Sequence, residues 1–96
     1  MQQWWYVYIL ECGNGKYYYG FTSNLKDRMR RHQEGLVHST RNWQPVRLKW
    51  CAAFPDKYLA LKFEKFLKSG SGRAFSKKRF LPPPVIPPDF KPKKWG

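Results

Sequence analysis

The sequence predicts a small α+β domain with a β-hairpin, a helix, a third strand and two further helices. Two aromatic, β-branched runs near the N-terminus flank a Gly-Asn-Gly turn, which is typical of a hairpin. A later run, Val46 to Phe54, alternates in polarity, and apolar residues recur at helical spacing after Asp56. Six of the eight prolines follow residue 80. We therefore expect the domain to cover residues 1–80 and residues 81–96 to form a proline-rich, extended or disordered tail.

The hairpin pairs Trp4–Glu11 with Lys16–Phe21, and its loop length decides which side chains share a face. A two-residue Asn-Gly loop would place Tyr8 and Tyr18 on opposite faces. A three-residue loop shifts the register by one position and separates apolar from polar side chains far better. We predict the three-residue loop, with Tyr8, Tyr18 and Gly20 together on the more polar face.

The first helix is predicted from about Asn24 to Glu34. Ser23 or Asn24 can cap it, and Asp27 suits its first turn. Gly35 stands where a left-handed residue commonly ends a helix.

A polar, turn-like segment from His38 to Pro45 leads to the third strand. In that strand, Val46–Phe54, the even-numbered positions are apolar, which predicts that they share one face. Asp56 can cap a second helix, which should end near Ser69–Gly70. A shorter third helix is predicted over Arg73–Phe80.

The chain is strongly basic, with 19 Lys and Arg against six Asp and Glu and a net charge of +13. Three of those basic residues and one acidic residue lie after residue 80, so +11 remains on the predicted domain. This balance indicates a polyanionic partner. The many aromatic residues (19%) add flat surfaces on which bases can stack, which favours nucleic acid over an anionic membrane.

Size and composition exclude several classes of protein. A domain of about 80 residues buries only about 60% of its unfolded surface and has no room for a nucleotide cofactor beside its core. Cys12 and Cys51 lack metal-binding spacing, so we expect free thiols in a reducing cytoplasm. The longest apolar run, Trp4–Leu10, is too short to span a membrane, and we expect no signal peptide.

Four side chains are expected to converge beside the hairpin. Arg28 and His32 are four residues apart and project from the same helix face. Because this helix begins soon after Gly20 ends the hairpin, Tyr8 and Tyr18 should lie near them. Each residue alone is more often a packing or solvated residue, and it is their joint placement that indicates a site.

Glu64 is the most informative acid. Helix geometry places it beside apolar neighbours, Ala60, Leu61 and Leu67, where a carboxylate rarely lies without a partner. One interpretation is an i,i+4 ion pair with Lys68. The other is a ligand for Mg²⁺, which needs one or two protein carboxylates when phosphate and water supply the rest. The predicted domain has five acids, too few for a two-metal site, and this scarcity also argues against glycosidase or aspartic protease chemistry.

The segments Tyr6-Val7-Tyr8 and Tyr18-Tyr19-Gly20 resemble the two motifs of the GIY-YIG nuclease superfamily. Tyr6 replaces the glycine of the first motif, and Tyr19 replaces the isoleucine of the second. The residues that match in type, order and spacing are Tyr8, Tyr18, Arg28, His32 and Glu64. Thr40-Arg41, Pro45 and the run LKSGSGRAF from Leu67 to Phe75 are typical of the small single-domain bacterial branch. The resemblance covers about residues 4–80.

This resemblance implies a three-stranded antiparallel sheet flanked by helices in the order ββαβαα. It also implies an endonuclease that hydrolyses DNA phosphodiester bonds with one divalent ion, Mg²⁺ or Mn²⁺, with structure-specific repair or processing as the expected role. Binding of RNA remains open. Two alternatives compete: a nucleic-acid-binding module on the same scaffold without turnover, and a scaffolding protein of a ribonucleoprotein particle whose tail docks a partner.

The needs of phosphodiester hydrolysis suggest a role for each residue. Glu64 would hold the metal, and Arg28 would neutralise the phosphorane. Tyr8 or Tyr18 would activate or orient water, which requires Arg28, His32 and the metal to lower the pKa of the phenol from about 10. Contacts to the DNA backbone are expected from Gly20, Arg30, Arg31, Arg41, Lys68 and Arg73.

Overall fold

The computed structural model describes residues 2–81 and has the predicted order of elements. The elements are β1 (Trp5–Cys12), β2 (Tyr17–Thr22), α1 (Leu25–Gln33), β3 (Val46–Phe54), α2 (Lys57–Lys68) and α3 (Gly70–Arg79). The strands form one antiparallel sheet in the order β2-β1-β3. The α+β fold is therefore confirmed, while residues 82–96 of the predicted tail lie outside the described residues.

The hairpin has the register of the three-residue loop. Tyr6 pairs with Thr22, and Glu11 pairs with Tyr17. Gly15 takes a positive φ of 82°, which suits a residue without a Cβ. Tyr8 lies directly opposite Gly20, as predicted.

Both faces of the sheet are covered. Helices α2 and α3 pack on one face, over a core formed by Val7, Ile9, Tyr19, Ala60 and Leu67. The other face, predicted to be the more polar one, is a second core under α1. It consists of buried Tyr8, Leu10, Cys12 and Val46, with Tyr18, Leu25, Met29 and Trp43 packed around them.

Strand β3 departs from simple alternation. Its register with β1 shifts between Ile9, which pairs with Trp50, and Leu10, which pairs with Leu48. Lys49 is the extra residue, so the apolar positions on its two sides face opposite ways. The expectation that the even-numbered positions of this strand share one face is wrong, and Leu48 lies 44% exposed on the α1 face.

The helices begin and end for local reasons. The Asn24 side chain accepts a hydrogen bond from the Asp27 N–H at 3.0 Å and caps α1. Gly35, with a φ of 74°, follows that helix. Asp56 caps α2 as predicted.

Helix α3 begins at Gly70, three residues before the predicted Arg73. Ser69 caps it by accepting a hydrogen bond from the Gly72 N–H at 3.1 Å. Gly72 packs so tightly on the backbone of Phe66 that no Cβ would fit. A glycine-serine run that reads as a turn therefore forms the first turn of a helix.

The packed domain reaches at least to Leu81, which packs with Phe80 on the core under α2 and α3. No helix within residues 2–81 is both long enough and apolar enough to cross a membrane.

Candidate active site

A buried hydrogen-bonded chain links β1, α1 and the segment before β3. Tyr8 Oη lies 2.8 Å from His32 Nε2, and His32 Nδ1 lies 2.7 Å from Thr40 Oγ1. All three side chains are fully buried. The Gln44 side chain also donates to the His32 carbonyl, which ties this segment to α1. Tyr8 and His32, two of the residues that were expected to converge, are in direct contact, and Thr40 extends this chain.

His32 is neutral at pH 7. Burial, with a further contribution from the positive charge of Arg28, lowers the pKa of His32 from about 6.5 to about 4. A neutral imidazole carries one proton, so one ring nitrogen donates and the other accepts. The Tyr8 and Thr40 hydroxyls can each take either role, and the chain is satisfied with either tautomer of His32.

Tyr18 packs on this chain from the neighbouring strand. Its ring centroid is 6.2 Å from that of Tyr8 and 5.1 Å from that of His32. Tyr18 is only partly buried, whereas Tyr8 is fully enclosed. Of the two tyrosines, Tyr18 is therefore the one that reaches the surface.

The Tyr8 phenol is held in its protonated form. Burial raises the pKa of Tyr8 well above its ordinary value, and Tyr18 raises it further. Arg28 acts in the opposite direction without cancelling these effects. Arg28 and the neutral His32 therefore do not by themselves lower the pKa of Tyr8 below its ordinary value, and a lowering that also involves a metal stays a prediction.

Gly20 is buried because the Tyr8 ring lies across it. A Cβ at Gly20 would lie 2.7 Å from Tyr8 Cε2 and closer still to Cζ and Oη, whereas ordinary contacts are 3.4–4 Å. Only glycine leaves room for the phenol to reach His32. This packing role was not predicted, and the predicted phosphate contact of Gly20 stays a prediction.

Arg28 and Glu64, which lie on two different helices, both influence the pKa of the Tyr8 hydroxyl. Arg28, on α1, influences the pKa of both Tyr8 and His32. Glu64, on α2, adds to the rise in the pKa of Tyr8. Tyr18, Arg28 and Glu64 thus influence the pKa of the Tyr8 hydroxyl, and His32 hydrogen-bonds to it.

Glu64 forms the predicted i,i+4 ion pair. Its Oε2 lies 3.2 Å from Lys68 Nζ, and the Glu64 side chain is 17% exposed. Within residues 2–81, the ion pair found for Glu64 is this one, made through Oε2.

A tightly bound metal does not suit these residues. Within residues 2–81, no three His, Cys, Asp or Glu side chains are grouped to hold an ion. One partly exposed carboxylate at Glu64 suits a hard cation such as Mg²⁺, which retains waters and shares phosphate oxygens with a substrate. The donor set therefore fits a divalent cation that arrives with an anionic ligand.

The other predicted phosphate-contacting cations differ in their surroundings. Arg31, Arg41 and Arg73 are exposed. Arg30 pairs with two carboxylates of its own helix, each at 3.0 Å, so its charge is already partly neutralised. Lys68 remains about half exposed beside Glu64.

The role of Thr40 in the site was not predicted from the sequence. It lies in a turn, far from the hairpin in the chain, and its contact with His32 depends on how residues 37–45 dock against α1. The usable signal was that Thr40-Arg41 is typical of the branch that the sequence resembles.

Comparisons with known proteins identify the family of this domain. The family model for the GIY-YIG catalytic domain matches residues 4–79. A UPF0213 protein of Cupriavidus pinatubonensis is 40% identical over 65 residues, 67% of this chain and 72% of that protein. One of Halalkalibacterium halodurans is 41% identical over 69 residues, 71% of this chain and 73% of that protein. The solution NMR structure of a UPF0213 protein from Bacillus halodurans, 37% identical, covers 81% of this chain and 84% of that one, with a TM-score of 0.53.

Proposed function

Because the chain belongs to the GIY-YIG nuclease family, we propose that it is an endonuclease that hydrolyses DNA phosphodiester bonds with one divalent cation, Mg²⁺ or Mn²⁺. A role in DNA repair or processing is part of this proposal. The observation that carries it is the contact of Tyr8, Tyr18 and His32, with Arg28 coupled to them, on a domain of net charge +11.

Substrate binding rests on charge. The exposed Arg31, Arg41 and Arg73 can approach backbone phosphates, and Lys68 can turn from Glu64 toward an incoming phosphate. Such contacts position a nucleic acid without reading its sequence. Affinity should therefore depend strongly on salt and weakly on sequence.

Arg28 would neutralise charge that develops on the phosphorane. A guanidinium presents a planar fork of donors that can bind two phosphate oxygens at once. Arg28 is partly buried and lies within electrostatic range of the Tyr8 hydroxyl. A cation fixed in such surroundings stabilises a developing charge more than one surrounded by water.

Tyr18 would orient the attacking water. Tyr8 is fully buried and protonated, so its hydroxyl does not reach solvent. Tyr18 lies against both Tyr8 and His32 and is partly exposed. In this arrangement Tyr8, His32 and Thr40 are positioning residues, which hold the surface on which Tyr18 rests.

Glu64 is the residue that would hold the divalent cation, with water and phosphate oxygens as the remaining ligands. When bound, such a cation stabilises charge on the leaving 3′ oxygen as a Lewis acid. The carboxylate also raises the local negative charge, which opposes phosphate binding when no cation is present.

Cleavage of a panel of end-labelled DNAs tests the function. Branched, nicked, single-stranded and duplex DNAs are incubated with the protein in Mg²⁺, and we expect cuts that EDTA abolishes. Glu64→Ala should be inactive and should bind DNA in EDTA at least as tightly as wild type, since a carboxylate has been removed. Glu34→Ala is the matched control. Glu34 also forms an i,i+4 ion pair, but it lies away from Glu64, at the C-terminal cap of α1, so this variant should cleave DNA normally. If Glu64→Ala cuts at the wild-type rate with the same Mg²⁺ requirement, the single-metal assignment fails.

A binding module without turnover is the second candidate. The enclosure of Tyr8 and His32, and the pairing of Glu64 with Lys68, would also suit a scaffold that holds DNA without cutting it. Tight DNA binding with no Mg²⁺-dependent cuts anywhere in the panel would favour this candidate.

A further inference from the structure

A basic cleft lies at the hairpin end of β2. Of its lining residues, only Arg73 has been assigned a functional role above. The cleft has a volume of about 480 Å³. Its walls come from the hairpin, from the segment before β3 and from α3. The lining residues are Gly15, Lys16, Tyr17, Tyr19, Trp43, Arg73 and Lys77.

The chemistry of this cleft combines three cations with flat aromatic surfaces. Arg73 and Lys77 lie four residues apart on α3 and so project from the same face. Lys16 Nζ lies 5.7 Å from the centroid of the Trp43 ring. All three cations are exposed, and among the described lining residues none is acidic. Within residues 2–81, the ion pairs found do not involve any of the three.

The cleft lies next to the candidate active site. Trp43 packs on the same buried cluster as Tyr8 and Tyr18. Tyr17 precedes Tyr18 in β2 and lies three residues from Gly20, over which the Tyr8 ring rests. At about 3.3 Å per strand residue, that separation is about 10 Å. A separation of this size is short enough for one DNA strand to contact both places.

We propose that this cleft binds an unpaired stretch of one DNA strand next to the scissile phosphate. Its phosphates contact Lys16, Arg73 and Lys77, and a base stacks on Trp43 or Tyr17. A base inside a duplex already has neighbours stacked on both faces, so this mode of binding selects DNA with unpaired nucleotides beside the cut. The position relative to the cut rests on the proposed nuclease function, whereas the binding of unpaired strand does not.

Binding measurements in EDTA test the cleft directly. The probes are a fluorescent 12-nucleotide single strand and a duplex of the same length. The double variant Lys16→Ala/Lys77→Ala should bind the single strand about tenfold more weakly, and its salt slope should fall by about 0.7 for each lost phosphate contact. Lys57→Ala is the matched control, because Lys57 lies over the Trp5 ring at 5.4 Å, outside the cleft, and it should bind like wild type.

Substitutions of Trp43 test the contribution of base stacking to binding separately from that of charge. Trp43→Leu should weaken single-strand binding about fivefold or more while changing duplex binding little. Trp43→Phe, which retains a ring in the packed cluster, should keep most of the affinity and lose most of the tryptophan quenching that the single strand causes. Wild-type single-strand affinity in the double lysine variant would overturn the proposal, and so would equal losses for single strand and duplex in Trp43→Leu.

The two proposals can fail separately. If the DNA panel is cut and the cleft variants bind unpaired DNA like wild type, the nuclease assignment stands and the cleft proposal fails. If nothing in the panel is cut and the cleft variants still lose single-strand affinity, the cleft proposal stands and the nuclease assignment fails.

Discussion

Substitution of Gly20 by alanine tests the packing that positions the buried tyrosine. The new methyl group would lie 2.7 Å from Tyr8 Cε2 and closer to Cζ and Oη. To regain ordinary contact, at 3.4 Å or more, the ring has to move by about 1 Å. Because Tyr8 Oη lies 2.8 Å from His32 Nε2, such a movement would lengthen or break that hydrogen bond.

Two costs follow from this displacement. Overpacking of a close-packed core costs about 1–3 kcal/mol. A buried hydroxyl and imidazole left without partners cost about 1–3 kcal/mol more. We therefore expect Gly20→Ala to lower the free energy of unfolding by about 2–6 kcal/mol. At about 4–8 °C per kcal/mol for a domain of this size, the Tm should fall by at least about 8 °C.

Thermal unfolding of four variants measures this effect. Gly70→Ala is the control, because Gly70 begins α3 and a Cβ there meets nothing within 4 Å, so its Tm should stay within a few degrees of wild type. Tyr8→Ala alone should be destabilising, but adding Gly20→Ala to it should cost little, because the clashing ring is gone. A wild-type Tm for Gly20→Ala, or additive losses in the double variant, would refute the reasoning.

Three further predictions concern the same site. Thr40→Val should remove the hydrogen-bond partner of His32 Nδ1 and cost about 1–3 kcal/mol of stability. The variant should cleave DNA more slowly but bind it in EDTA with unchanged affinity, and Thr40→Ser should restore the stability and the cleavage rate. Because burial depresses the pKa of His32 to about 4, the unfolded chain binds a proton there below about pH 6.5 while the folded chain does not. The free energy of unfolding should therefore decrease as the pH falls from about 6.5 to about 4, by up to about 1.4 kcal/mol per pH unit, and urea titrations that show no such decrease would contradict a buried neutral His32. The logarithm of duplex affinity should fall with the logarithm of salt concentration at a slope of about −0.9 per phosphate contact, or near −5 for six contacts. Arg28→Ala should reduce the size of this slope by about one contact. An affinity that does not depend on salt would argue against a polyanionic partner.

The hairpin shows what a sequence pattern can predict. Only the three-residue loop separates the apolar and polar residues of β1 and β2, so pattern alone selects the register that brings Tyr8 opposite Gly20. Helix spacing likewise placed Arg28 and His32 on one face. These features depend on local periodicity, which a sequence carries directly.

Other features depend on contacts between distant segments. The burial of Tyr8 results from the docking of α1 and of the segment that contains Thr40, and neither is visible in the hairpin pattern. The bulge at Lys49 divides β3 between two faces although its sequence alternates regularly. Gly72 reads as part of a turn because its close contact with the Phe66 backbone is tertiary.

The most direct test of the catalytic assignment is the single-turnover cleavage rate of Tyr18→Phe in Mg²⁺. This substitution removes one hydroxyl from a partly exposed ring and keeps the packing against Tyr8 and His32. We predict that the variant unfolds at the wild-type temperature, binds DNA in EDTA with wild-type affinity and cleaves at least about 100-fold more slowly. Cleavage at the wild-type rate would contradict the assignment of Tyr18 as the residue that orients the attacking water.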